Sequence, residues 1–177
     1  MSFLKNQILI STTNITDNVF SKSVVYICDH DKNGAMGLII NKKIRNFEIH
    51  FPDKKDFDFD PDLFSTLYFG GPVSIEYGLV LHQTDFLVDD PLIVSDTIAL
   101  TNKKKILKKI INKKNIPYKI MLGHCSWAPN QLEKEIECGD WLMQNTTDDF
   151  IFNFPSKQMW DHATYSLGIE SESFFIN

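Results

Sequence analysis

Two short apolar runs with β-branched residues most constrain how this chain can fold. Ser23 to Cys28 (SVVYIC) and Ala35 to Ile40 (AMGLII) flank Asp29-His30-Asp31-Lys32-Asn33-Gly34, a stretch dense in turn formers. Apolar runs this short, bounded by turn residues, read as buried strands. The pair therefore reads as a hairpin with a long turn.

Similar signals recur along the chain. Ile8 to Ser11 reads as a first strand, and Leu67-Tyr68-Phe69 as a short one ended by Gly70-Gly71-Pro72. Tyr77 to Gln83, Leu92 to Val94, Thr97 to Leu100 and Tyr118 to Leu122 read as further strands. Helices come late. Lys103 to Asn112 carries Ile106, Leu107, Ile110 and Ile111 as one apolar stripe. Pro129 to Cys138 has Pro at its first position and Gly139 as its stop. Ser156 to Leu167 places Met159, Trp160, Ala163 and Leu167 on one face, with Gly168 ending it. Residues 47–62 form an acidic, poorly periodic loop, and 170–177 a tail. The expected fold class is α+β, in one compact domain over residues 1–177 with no clear linker.

Composition narrows the function classes. A chain of 177 residues is long enough to bury a core without disulfides or metals. Its net charge of −5 disfavours bulk affinity for nucleic acid or an anionic membrane. No apolar run approaches the roughly 18–20 residues that span a bilayer, and Ile8-Leu9-Ile10 is too short for a signal-peptide core. Cys28, Cys125 and Cys138 are odd in number and widely spaced, which suits free thiols in a reducing cytoplasm.

Three segments, in order and at matching spacing, resemble the AlgH/YqgE family of small bacterial proteins. They are Ser23 to Lys42 (SVVYICDHDKNGAMGLIINK), Leu67 to Val73 (LYFGGPV) followed by Tyr77 to His82 (YGLVLH), and Leu122 to Leu142 (LGHCSWAPNQLEKEIECGDWL). The resemblance runs from about Phe3 to Ile169. It implies a mixed, partly closed, barrel-like sheet flanked by about three helices, in a cytoplasmic protein. Members are often labelled transcriptional regulators, a label that supplies no mechanism. This sequence departs from the family pattern at Lys43, where Pro is usual, at His124-Cys125, where Tyr-Ala is common, and at Asn130, where Gly is frequent.

Several constellations invite a chemical reading. Cys125 follows a strand and precedes a helix, as a nucleophile on a sharp elbow would. However, Trp127 stands where the elbow needs its second Gly, and His124 points to the opposite face of an extended backbone. A packed thiol is the simpler reading. Asp56, Asp58 and Asp60 alternate like calcium-loop ligands, but Pro61 replaces the required Gly. His30, His50, His82, His124 and His162 close no metal-binding pattern. The stretch from Lys103 to Lys114 holds seven lysines and no acid. It is the one nucleic-acid signal, though it has no arginine and no interleaved aromatics. Gly70-Gly71-Pro72 reads as a tight turn, or as backbone brought close to a ligand. Trp127 and Trp141 flank the second helix, on which Gln131 and Glu135 share a face.

These readings order the functions. The leading expectation is a non-enzymatic protein that binds a protein or small-molecule partner. Its surface would comprise Gly70, Gly71, Pro72, Trp127, Gln131 and Glu135, joined by Asn41 and His82. The alternative is a regulator that binds nucleic acid through the Lys103–Lys114 helix. A Cys125-dependent hydrolase or transferase ranks third. No catalytic residue, metal or cofactor is assigned and no membrane is expected. The aromatic tail, Phe174-Phe175-Ile176, leaves pairing with a second copy open.

Overall fold

The computed structural model describes residues 4–44, 67–85, 90–102 and 116–168. Nine strands form one curled, half-barrel sheet among these residues. They are β1 (Gln7–Ser11), β2 (Val24–Asp31), β3 (Gly34–Ile39), β4 (Leu67–Phe69), β5 (Val73–Gln83), β6 (Leu92–Ile93), β7 (Ile98–Thr101), β8 (Tyr118–Trp127) and β9 (Trp141–Asn145). The spatial order is β6-β7-β5-β8-β3-β2-β1-β9, and β4 pairs with β8. Every pairing is antiparallel except β4 with β8, so the sheet is mixed, as expected. Among the described residues three α-helices accompany it: α1 (Gln131–Glu137), α2 (Asp148–Phe152) and α3 (Met159–Ser166).

The continuous apolar strands have a direct cause. Ile8, Ile10, Val24, Tyr26, Leu38 and Ile40 bury one face of the sheet together with Met159, Trp160 and Ala163 of α3. Leu9, Val25, Ile27 and Ile39 bury the opposite face with Trp127, Trp141 and Leu132 of α1. A sheet covered on both sides needs apolar residues at successive positions, not at alternate ones.

The hairpin turn is shorter than the sequence suggests. β2 continues to Asp31, which pairs with Gly34, and a bulge between Ile27 and Asp29 shifts the register. Only Lys32 and Asn33 lie outside the strands, and the Asp31 carboxylate accepts the Asn33 backbone N–H at 2.7 Å. The polar residues that look like a loop are the exposed half of a twisted ribbon tip: Asp29 and Asp31 face solvent while His30 is buried.

Other boundaries move for equally local reasons. β5 begins at Val73, four residues before the expected Tyr77. Ser74 takes a positive φ, 53°, and the register shifts between Val73 and Gly78, which hides the strand's period. α1 begins at Gln131 and not at Pro129, because Asn130 is left-handed at φ 61°. Asn and Gly tolerate that conformation best, which explains why Asn serves there. The last helix opens as a 3₁₀ turn (Ser156–Gln158), and Leu167 lies 39% exposed, outside the buried face it was expected to share.

Two elements have no counterpart in the sequence reading. β9 is a five-residue strand paired with β1, with Met143 and Asn145 exposed. α2 is capped by Thr147, whose hydroxyl accepts the Phe150 N–H at 3.2 Å, with Asp148 and Asp149 in its first turn. The expected helix at 103–112, the acidic loop at 47–62 and the tail at 170–177 fall outside the described residues. No described helix is long and apolar enough to cross a membrane.

Candidate functional site

The site is built where β8 bends. Gly123 sits in the middle of this strand at φ 69°. Before Gly123 β8 pairs with β4 and β5; beyond it β3 takes the place of β4, while β5 reaches across the bend to pair Val73 with His124. Gly70 and Gly71 pack backbone to backbone against the bend. A Cβ on Gly70 would lie 2.3 Å from the Gly123 carbonyl oxygen, and one on Gly71 2.3 Å from the His124 carbonyl carbon. The two glycines are therefore required by close packing, and they set Pro72 and Val73 at the edge of a cleft.

This cleft of about 310 Å³ opens between the segment 15–20, the Pro72 turn, the end of β8 and helix α1. Pro72, Trp127, Gln131 and Glu135 all line it. Glu135 organises the wall. One carboxylate oxygen accepts the indole N–H of Trp127 at 2.8 Å and that of Trp141 at 2.9 Å. The other accepts the Gln131 side-chain amide at 2.9 Å, and the Gln131 oxygen in turn accepts the Ala128 N–H at 2.9 Å. Charge-assisted bonds of this kind are stronger than neutral ones and fix both rings. Trp127 and Trp141 are 5% and 3% exposed, so they are core aromatics whose remaining surface fronts the cleft.

Phe20, Asp17 and Asp140 also line the cleft, and the sequence reading passed over all three as site residues. Phe20 meets Trp141 edge to face at 5.9 Å, and Trp127 meets Trp141 at 6.2 Å. Asp17 caps its own turn by accepting the backbone N–H groups of Val19 and Phe20, both at 2.8 Å. The Asp-x-x-Phe spacing and an indole needing an acceptor were the available signals.

Two expected members stand elsewhere. Asn41 is a structural bridge: its oxygen accepts the Val24 N–H at 2.9 Å and its amide donates to the Lys22 carbonyl at 2.9 Å. It lines a different cleft with Lys43 and Lys157. His82 is buried in β5, its Nδ1 2.8 Å from the Gln83 carbonyl oxygen, and burial lowers its pKa.

Cys125 is not on an elbow. β8 continues through it to Trp127, and the thiol is 2% exposed, donating to the Gly70 carbonyl at 3.5 Å. Burial pushes its pKa up to about 12, so the reactive thiolate is suppressed. Burial also lowers the pKa of neighbouring His124. Among the described residues no group of three or more His, Cys, Asp or Glu side chains is arranged to hold a metal ion.

A half-barrel α+β fold with a tryptophan-walled cleft defines the class of protein. Comparison with known proteins defines the family. The AlgH-like family model matches residues 8–172, and the chain belongs to that family. A UPF0301 protein of Buchnera aphidicola subsp. Baizongia pistaciae is 36% identical over 175 residues, covering 93% of this chain and 90% of the relative. One from Chromobacterium violaceum is 38% identical over 170 residues, covering 94% and 91%. The solution structure of the AlgH protein from Pseudomonas aeruginosa superposes with a TM-score of 0.78 at 25% identity, covering 99% of this chain and 95% of that one.

Proposed function

We propose that this chain is a non-enzymatic binding protein whose partner docks in the cleft between the 15–20 segment and helix α1. The observation that carries this reading is the Glu135 clamp. A single carboxylate organises three N–H donors so that two tryptophans hold fixed positions in the wall of an open cleft. A preformed concave site with aromatic walls and a few placed polar groups is the usual form of a recognition site. The one thiol that lines it is buried and protonated, which speaks against nucleophilic chemistry there.

Glu135 and Trp127 also hold the fold, so the test must leave them in place. Pro72 is exposed, lines the cleft and is free of the clamp. Pro72→Trp should fill the cleft without moving the wall. Partners captured with the tagged wild-type protein are purified and titrated against ¹⁵N-labelled wild type and Pro72→Trp. The expected result is movement of the Trp127 and Trp141 indole signals and loss of binding by a variant with a nearly unchanged melting temperature. Equal binding by Pro72→Trp would overturn the reading.

A further inference from the structure

We infer that the cleft receives a cationic side chain, the ammonium of a lysine or the guanidinium of an arginine, presented by a partner protein. This deepens the binding reading above and rests on it.

Charge comes first. Three carboxylates, Asp17, Glu135 and Asp140, line the cleft, and no described Lys, Arg or His does. Lys42 lies outside the lining but interacts electrostatically with Asp17, and its ammonium is held by the carbonyls of Asn18, at 3.1 Å, and Val19, which leaves Glu135 and Asp140 as the lining carboxylates without a cation among the described residues. Glu135 cannot swing away, because both its oxygens are bonded to the wall. Asp140 is half-buried, and its carboxylate makes no hydrogen bond or ion pair among the described residues. It is an acceptor without a donor beside a fixed negative charge. An anionic group entering here would meet repulsion, and a neutral apolar one would desolvate Asp140 without compensation.

Ring geometry adds a second argument. Phe20 stands at 85° to Trp141, and Trp127 at 80° to the same ring. Successive near-right angles make a cornered wall, and aromatic faces carry the negative lobe of the ring quadrupole. Trp127 and Trp141 keep only 5% and 3% of their surface exposed, so the carboxylates carry most of the attraction and the rings shape the slot that the side chain enters. A volume of about 310 Å³ admits one extended side chain and not a folded element.

The probes are three capped tripeptides, acetyl-Gly-Lys-Gly-amide, acetyl-Gly-Arg-Gly-amide and the neutral acetyl-Gly-norleucine-Gly-amide. Each is titrated into the ¹⁵N-labelled full chain while the Trp127 and Trp141 indole signals are followed. The lysine and arginine peptides should shift both signals, with affinity falling as salt rises. Asp140→Asn, with an unchanged melting temperature, should weaken them at least about tenfold. Equal binding by the norleucine peptide would overturn the cationic inference and leave the cleft reading intact. So would the absence of indole shifts at roughly 10 mM peptide, well above a millimolar affinity. A partner that still binds Pro72→Trp would instead remove the cleft reading itself.

Discussion

Gly71 and Gly123 lie so close that a Cβ on Gly123 would come within 2.3 Å of the Gly71 carbonyl oxygen. Both have positive φ, 152° and 69°, so an L side chain at either is strained as well as crowded. The contact lets β8 change partners at its midpoint and sets the Pro72 turn at the cleft. Gly123→Ala should cost at least about 3 kcal/mol, since neither backbone can yield. Gly139 is the control: it is left-handed at φ 80°, yet a Cβ there would meet only the Asn14 amide nitrogen at 3.5 Å. Gly139→Ala should cost about 1 kcal/mol, from φ alone. Urea unfolding of the two variants separates packing from backbone strain.

Glu135→Gln tests the clamp. The replacement keeps the shape but offers one acceptor oxygen where three N–H donors converge. Either the indoles or the Gln131 amide must then face an NH₂ group. The expected loss is about 1–3 kcal/mol, with displaced indole N–H signals for both Trp127 and Trp141. A variant as stable as wild type, with unmoved indole signals, would show that the carboxylate is dispensable.

How far the fold was legible follows from the same residues. β2 and β3 were readable because burial on both faces made their apolar runs continuous. β8 was cut short at Leu122 because Gly123 reads as a stop, and only the facing Gly71 reveals it as a bend. β9 was missed because half of Trp141–Asn145 faces solvent and the strand is five residues long. Within the site, Trp127, Gln131 and Glu135 could be grouped from one short stretch. Phe20 and Asp17 could not, because they arrive from more than one hundred residues away in sequence. His82 was misplaced because its strand position gives a face but not the distance to the cleft.

Thiol reactivity should separate the three cysteines. Cys138 is exposed, while Cys28 and Cys125 are buried, with burial raising the pKa of both. Alkylation at neutral pH should modify Cys138 first, leaving the other two unmodified until the protein unfolds. Mass spectrometry of timed digests reads this directly. Selective early labelling of Cys125 would restore the catalytic reading that its burial opposes.

Lys119 should give the stability an unusual pH dependence. Its side chain is fully buried, with the ammonium donating to the Ile40 carbonyl at 2.9 Å and lying 4.3 Å from the centre of the Tyr68 ring. Burial, reinforced by Lys43, lowers its pKa from 10.5 to about 7. Below pH 7 the folded and unfolded states both hold the proton, and the cost of the buried charge is fully felt. Above it the folded state releases a proton that the unfolded state keeps, so stability rises with pH. Burial lowers the pKa of His82 and His124 too, and they add to the rise only near and below their ordinary value of 6.5. Cys28, Cys125 and Tyr26 act oppositely. Burial raises their pKa values, so above about pH 9 the unfolded state loses protons that the folded state retains, and stability falls. Urea midpoints should therefore climb between about pH 7.5 and 8.5, by on the order of 1 kcal/mol, and then turn over. Burial lowers the pKa of Lys42 as well, so Lys119→Met should remove most of the climb and keep the fall. An undiminished climb in Lys119→Met would assign it to another group.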